Sequence, residues 1–240
     1  MFAIETESLT KRFKDKTAVN KINLKINKGE LFSLLGTNGA GKTTTIKMLS
    51  TLILPTEGSI RINGMDIVKD RQRIKEILNV SPQETAIAPN LSVIENLEFM
   101  AGVYQIRNKK EKIDELIRLF KLDEVLKQKA KTLSGGWQRK VSIAISLIND
   151  PQILFLDEPT LGLDVIARKE LWAVIKSLKG QITIILTTHY MEEAESLSDR
   201  VGIMSKGKLA AVGTPEELIE NFGAESFEDA FVKIATGGEL

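Results

Sequence analysis

The segment Gly36-Thr37-Asn38-Gly39-Ala40-Gly41-Lys42-Thr43 carries the densest chemical signal in the chain, because its residue types suit the capture of a polyphosphate. It fits the spacing G-x-x-x-x-G-K-S/T, in which glycines let backbone N–H groups turn inward around phosphate oxygens. Lys42 supplies a point charge for the β and γ phosphates, the Thr43 hydroxyl is a ligand for Mg²⁺, and Thr44 is counted with the same binding segment. An apolar run, Leu31 to Leu35, precedes the loop and a helical pattern follows it. The positive end of that helix adds a favourable field for an anion. The plainer alternative is a glycine-rich turn that happens to precede a helix. The four fixed positions arise by chance in about one chain of this length in a hundred, and the flanking elements lower that further. The loop therefore predicts nucleotide binding.

Two acids close a second apolar run, Ile153-Leu154-Phe155-Leu156-Asp157-Glu158, at the strand end where open α/β sheets bind ligands. Asp157 is placed to hold Mg²⁺ and Glu158 to polarise an attacking water. An acid after a strand also serves as a turn or cap, and Pro159 favours a turn, so the catalytic reading of the pair leans on the phosphate loop. Ser134-Gly135-Gly136 reads as a further anion-binding surface: Ser134 is a good N-cap, and two glycines at a helix N-terminus admit close approach. Standing alone, the same residues are a capped helix with glycines for packing. His189 is the only histidine and follows Ile182 to Leu186 and Thr187-Thr188, which brings it to the same sheet edge as Glu158. Lone histidines more often serve structure; here the imidazole could hydrogen-bond a terminal phosphate.

Elements that could hold these residues are legible in the apolar pattern. Ile22, Leu24 and Ile26 alternate with Asn23, Lys25 and Asn27, the period of a half-buried strand, and Ser59 to Val68 repeats the pattern around Asn63-Gly64, a hairpin dipeptide. Leu31 to Leu35, Ile153 to Leu156 and Ile182 to Leu186 are continuous apolar runs followed by turns and helical patterns, as parallel strands buried on both faces require. From about 90 to 150 the strand signal disappears. Val93, Leu97, Met100 and Tyr104 share one helical face, Ile113, Leu116, Ile117 and Phe120 another, and a helix from about Trp137 to Ile148 is apolar nearly all round. The expectation is an α/β chain forming one domain over 1–240, with an antiparallel part near its start and a helical subdomain, about 84–150, inserted in the α/β core. A tail over 214–240 reads as two short helices, Pro215 suiting a first helical turn.

Composition excludes several classes. With no cysteine there is no disulfide framework or thiolate metal site, and one histidine argues against a multi-histidine metal centre. A reducing, cytosolic setting is expected. The formal net charge of +1 gives no global attraction to nucleic acid. Met1 to Phe13 carries Glu5 and Glu7 and does not read as a signal peptide, and no apolar stretch approaches the roughly 20 residues that span a bilayer. Lys109, Lys110, Lys127, Lys129 and Lys131 read as solvated helix faces, and Trp172 as packing.

Leu133-Ser134-Gly135-Gly136-Trp137-Gln138-Arg139 resembles the LSGGQ signature of ATP-binding-cassette (ABC) ATPases, and the other motifs fall in that family's order from about Phe2 to Leu218. The resemblance implies a P-loop NTPase with a RecA-like parallel-sheet core, an N-terminal antiparallel β subdomain and an inserted α-helical subdomain. On it, the loop at Gly36 is the Walker A, Gln83 the Q-loop residue that contacts Mg²⁺ or water, and Ile153 to Glu158 the Walker B. Leu161-Gly162-Leu163-Asp164 is the D-loop, His189 the switch histidine and Phe13 the residue stacked on adenine. It further implies ATP and Mg²⁺ as cofactors, with Glu158 as general base. Ser134, Gly135 and Gly136 would complete the ATP site of another copy in a head-to-tail homodimer or pseudo-dimer.

Integral membrane permease subunits are the implied partners and the cytoplasmic face of the membrane the implied location, with no nucleic acid. The segments Gly36 to Ile67, Thr188 to Glu195 and Gly213 to Leu218 most resemble drug- and sodium-extrusion ATPases, hence export. The alternative is a non-transport ABC ATPase acting on nucleic acid or in protein assembly, whose DNA-repair members carry long insertions that are not found here. A signalling GTPase would need Asn-Lys-x-Asp, and Asn108-Lys109-Lys110-Glu111 lacks the aspartate. The chain departs from the family pattern at Trp137, where glutamine is usual, and mildly at Thr37, where proline is frequent.

Overall fold

In the computed structural model, which describes residues 1–237, the two strand patterns of the sequence become two separate sheets. The alternating segments form an antiparallel sheet of β1 (Phe2–Phe13), β2 (Lys16–Asn27), β4 (Glu57–Ile62) and β5 (Met65–Asp66), in the order β2-β1-β4-β5. Ile22, Leu24 and Ile26 of β2 are buried while Lys21, Asn23 and Lys25 are exposed, so one face meets the core and the other water. Asn63 and Gly64 both take positive φ, 48° and 79°, and join Ile62 directly to its partner Met65, as a two-residue hairpin demands.

The continuous apolar runs form the second sheet. Its strands are β3 (Leu31–Gly36), β6 (Leu78–Ser81), β7 (Ile153–Asp157), β8 (Thr183–Thr188), β9 (Arg200–Ser205) and β10 (Lys208–Gly213), in the order β10-β9-β3-β8-β7-β6. Every pair is parallel except β9 with β10. Every residue of β3, β7 and β8 is buried, which explains why these segments read as unbroken apolar runs. Because β3, β7 and β8 are adjacent and parallel, their carboxyl ends, Gly36, Asp157 and Thr188, reach one sheet edge.

The helices clothe this sheet from both sides. Helix α1 (Lys42–Leu49) packs Ile46, Met48 and Leu49 into the core that also holds Phe32, Leu34 and the buried face of the antiparallel sheet. Helix α2 (Arg71–Ile77) leads into β6. Between β6 and β7 lie α3 (Val93–Val103), α4 (Lys109–Phe120) and α5 (Gly135–Ser146). Their apolar faces join Leu154, Leu156, Ile184 and Leu186 of the sheet and Leu171 and Ile175 of α6 (Val165–Leu178) in one cluster. Tyr104 is the residue that closes α3 and is partly exposed, outside the apolar face its spacing suggested.

Helix α7 (Met191–Leu197) follows β8, and α8 (Pro215–Asn221) and α9 (Phe227–Thr236) seat Leu218, Phe227, Ala230 and Ile234 against Leu35, Val201 and Ile203. Pro215 occupies the first turn of α8 behind a Thr214 capping box. The last three positions of the 214–240 tail lie outside the described residues.

Candidate functional site

Backbone crowding makes the Gly36 loop what it is. A Cβ on Gly36 would stand 2.5 Å from the Met204 carbonyl oxygen, and one on Gly41, whose φ is +105°, would stand 2.6 Å from that of Ala18. Gly41 caps α1, so the loop opens directly onto a helix N-terminus. The Lys42 side chain is buried and folds back across the loop, its Nζ donating to Gly36 O at 2.7 Å and to Thr37 O at 3.4 Å. The cation is thereby pinned to the carbonyls that open the loop.

The two acids at the end of β7 are both buried and face different partners. Asp157 Oδ1 accepts from Thr187 Oγ1 at 2.5 Å and from Thr43 Oγ1 at 3.3 Å. Glu158 leaves the strand with φ of 50°, a left-handed backbone that a non-glycine residue adopts only at a cost and that concentrates at functional sites. Its backbone N–H donates to Thr187 O at 3.1 Å, which holds the turn against β8. One carboxylate oxygen lies 3.5 Å from Lys42 Nζ and the other 2.6 Å from His189 Nδ1. A carboxylate only accepts, so Nδ1 carries the hydrogen of that contact.

Asn38 to Thr44, Gln83, Glu158, Leu161 and His189 line a hollow of about 310 Å³. Residues predicted from four separate segments are thus brought together at one sheet edge. Among the described residues no three His, Asp or Glu side chains cluster as a metal cage. The oxygen pair of Thr43 and Asp157 beside the phosphate loop suits Mg²⁺ nevertheless, because that ion takes one or two protein oxygens and completes its shell with phosphate and water.

Two predicted groups stand apart from this hollow. Phe13 ends β1, is half exposed and does not line the cleft, although the Ala18 carbonyl of the paired strand stands where a Cβ on Gly41 would be. Ser134, Gly135 and Gly136 line a different hollow, of about 440 Å³, together with Trp137, Lys140, Gly162, Asp164 and Ile166. Ser134 caps α5 by accepting from Trp137 N, and Asp164 caps α6 by accepting from Ile166 N and Ala167 N at 2.9 Å. Lys140 Nζ sits 4.4 Å above the Trp137 ring and 2.7 Å from Glu170, so the tryptophan is a held platform on the rim of this hollow.

Three residues with roles in this architecture were not singled out from sequence. Arg139, buried in α5, donates to the carbonyls of Pro82 and Gln83, fastening the helix behind Ser134 to the loop that carries Gln83. Burial pushes its guanidinium below the usual range, and the charge of Asp157 holds it up. A charge on a helix otherwise apolar nearly all round was the available signal. Thr187 orients Asp157, and Glu193 is wholly buried and bonded to Thr160, two residues past Glu158. Neither residue type announces its role in a linear pattern.

A parallel sheet with a phosphate loop, a lysine at its centre and paired acids at the neighbouring strand end defines a P-loop nucleotide-binding protein. Residues 19–161 match the family model described as ABC transporter, and the chain belongs to that family. It is 41% identical over 219 residues to a probable multidrug ABC transporter ATP-binding protein, YbhF, of Escherichia coli, covering 90% of this chain and 38% of that protein. It is 38% identical over 226 residues to the linearmycin resistance ATP-binding protein LnrL of Bacillus subtilis, covering 93% of this chain and 73% of that one. The chain thus spans well under half the length of the first of these relatives. The fold matches the dimeric post-hydrolysis structure of the ATP-binding cassette MJ0796 bound to ADP and Pi, with a TM-score of 0.80 and 25% identity over 88% of this chain and 98% of the other.

Proposed function

We propose that this chain is the ATP-binding and ATP-hydrolysing subunit of an ABC exporter, a single ABC ATPase domain with its helical subdomain over about 84–150. The observation that carries the reading is the placement of Glu158 between Lys42 and His189, 3.5 and 2.6 Å away, at the mouth of the phosphate loop. The backbone N–H groups of the loop and Lys42 bind the β and γ phosphates, and α1 adds its positive end. Thr43 and Asp157, with Gln83 at the cleft, would hold Mg²⁺, which when bound neutralises charge developing on the phosphates. Glu158 orients the attacking water and takes its proton, while His189 fixes the Glu158 carboxylate and stands at the cleft to report a γ-phosphate. Phe13 packs against the adenine from the β1–β2 hairpin.

The second hollow supports dimerisation. Ser134, Gly135 and Gly136 present a helix N-terminus that no phosphate loop of the same chain reaches, so they close on the ATP of a second subunit. Val165 and Ile166, 57% and 73% exposed beside this hollow, are apolar surface such closure would bury. No helix of the described residues is long and apolar enough to cross a membrane; on this reading, integral membrane permease subunits met at the cytoplasmic face supply the pathway. The multidrug and linearmycin-resistance names of the relatives support export. Phosphate release by the purified chain tests the reading: ATP-dependent turnover that Glu158→Gln abolishes is expected, and an inert wild-type protein that does not bind ATP would overturn it.

A further inference from the structure

Glu193 is a buried carboxyl that this reaction does not use, and it stands at the junction of three segments that the reaction does use. It lies in α7, past His189, and is 0% exposed. Its Oε1 accepts from Thr160 Oγ1 at 2.8 Å and from Trp172 Nε1 at 2.9 Å. Thr160 belongs to the turn directly behind Glu158 and is itself buried; Trp172 lies in α6, the helix capped by Asp164. Oε2 is buried with no hydrogen-bond partner, and no lysine or arginine pairs with Glu193 among the described residues.

An acid in such a place is costly, because it gives up water without gaining a cation. Burial pushes its carboxyl above the usual range, the nearby charge of Glu158 adds to this, and the hydrogen bonds from Thr160 and Trp172 oppose it. An apolar residue would fill the same space but would leave the Thr160 hydroxyl and the Trp172 N–H as buried donors without an acceptor. What the site needs from Glu193 is therefore an acceptor oxygen at the meeting point of these segments, and a negative charge is not required for that.

We propose that Glu193 is a positioning residue for hydrolysis: it ties the turn behind Glu158, the helix behind Asp164 and the segment behind His189 into one unit, so that the His189–Glu158 contact keeps one geometry. This rests on the ATPase reading above, and the experiment separates the two. ATP affinity, kcat and the imidazole NMR signals of His189, the chain's single histidine, are measured on wild type, Glu193→Ala, Glu193→Gln and Thr160→Val. Glutamine keeps one oxygen able to accept both donors. For Glu193→Ala, kcat is expected to fall about tenfold or more with ATP affinity within about threefold of wild type, and Glu193→Gln should recover kcat to within about threefold.

The imidazole signals should shift in the alanine variant and return in the glutamine variant, a readout independent of turnover. Thr160→Val, which removes one donor and leaves the carboxyl its other bond, should lower kcat in the same direction by less. An alanine variant with wild-type kcat and unshifted imidazole signals would overturn the proposal, as would a folded glutamine variant damaged as badly as the alanine one. Should the alanine variant fail to fold, unchanged kcat and unshifted imidazole signals in Thr160→Val would overturn it equally. An inert wild type whose His189 signals still respond to Glu193→Ala would count against the ATPase reading and not against this one.

Discussion

The two hollows of this molecule differ in how far their own residues satisfy one another. In the phosphate-loop cleft the charged groups are all engaged: Lys42 with Gly36 and Thr37 carbonyls, Asp157 with Thr43 and Thr187, Glu158 with Lys42 and His189. In the signature hollow, Ser134 makes one long cap contact of 3.5 Å, a Cβ on Gly135 would meet nothing within 4 Å, and apolar Ile166 lies open at the rim. A buried, mutually paired set of charges is a preorganised chemical site. An open helix N-terminus with exposed apolar neighbours is what the proposed dimer would bury. On the proposed function, the chain carries one nearly whole site and one half-site, and a second subunit would complete the half-site.

Mutations should therefore act differently in the two places. The largest effect is expected for Glu158→Gln, which keeps the shape of the cleft and removes the base: kcat should fall by about 10²–10³ with ATP still bound, and the protein should elute as a dimer on sizing in ATP. Normal turnover would remove Glu158 from the chemistry. Lys42→Ala takes the cation from the loop, and ATP affinity measured by calorimetry should drop about 100-fold or more, roughly 3 kcal/mol. Unchanged affinity would contradict the phosphate role. In the other hollow, Ser134→Arg should leave ATP affinity within about threefold while reducing hydrolysis at least about tenfold, the split expected of a group that meets only the partner's nucleotide. If affinity fell with hydrolysis, the two hollows would not be separable. The smallest effect belongs to Trp137→Gln: Trp137 lies on the rim, stacked under Lys140, and kcat should change by no more than about threefold. A large loss there would make the tryptophan part of the shared site.

How far the chain could be read in advance follows the same division. The phosphate loop, the acids at Asp157 and Glu158 and the runs forming β3, β7 and β8 are legible because each is local: a spacing, or an apolar run on a strand buried on both faces. The convergence of Glu158 and His189 was inferable from both following apolar strands, since β7 and β8 lie side by side. Arg139 on the Gln83 loop was not, because the contact joins α5 to a loop 56 residues away and any helix face with one arginine looks alike. Glu193 was hidden for a related reason. It sits in a run of acids on α7, where Glu192 is exposed and Glu193 is not, and only the packing of α6 and Thr160 against that face distinguishes them. That Ser134 and Lys42 belong to separate hollows is likewise a fact of topology: α5 starts in the inserted helices between β6 and β7, whereas the phosphate loop joins β3 to α1.

Completion of each ATP site by the signature segment of a second copy is tested by mixing two inactive variants. Glu158→Gln and Ser134→Arg, mixed before ATP is added, would form hybrid dimers in which one site holds both lesions and the other holds neither. Single-turnover hydrolysis should recover to about a quarter of wild type, since half the dimers are hybrids and each carries one intact site. A mixture that hydrolyses no more than the sum of its two components would contradict the claim.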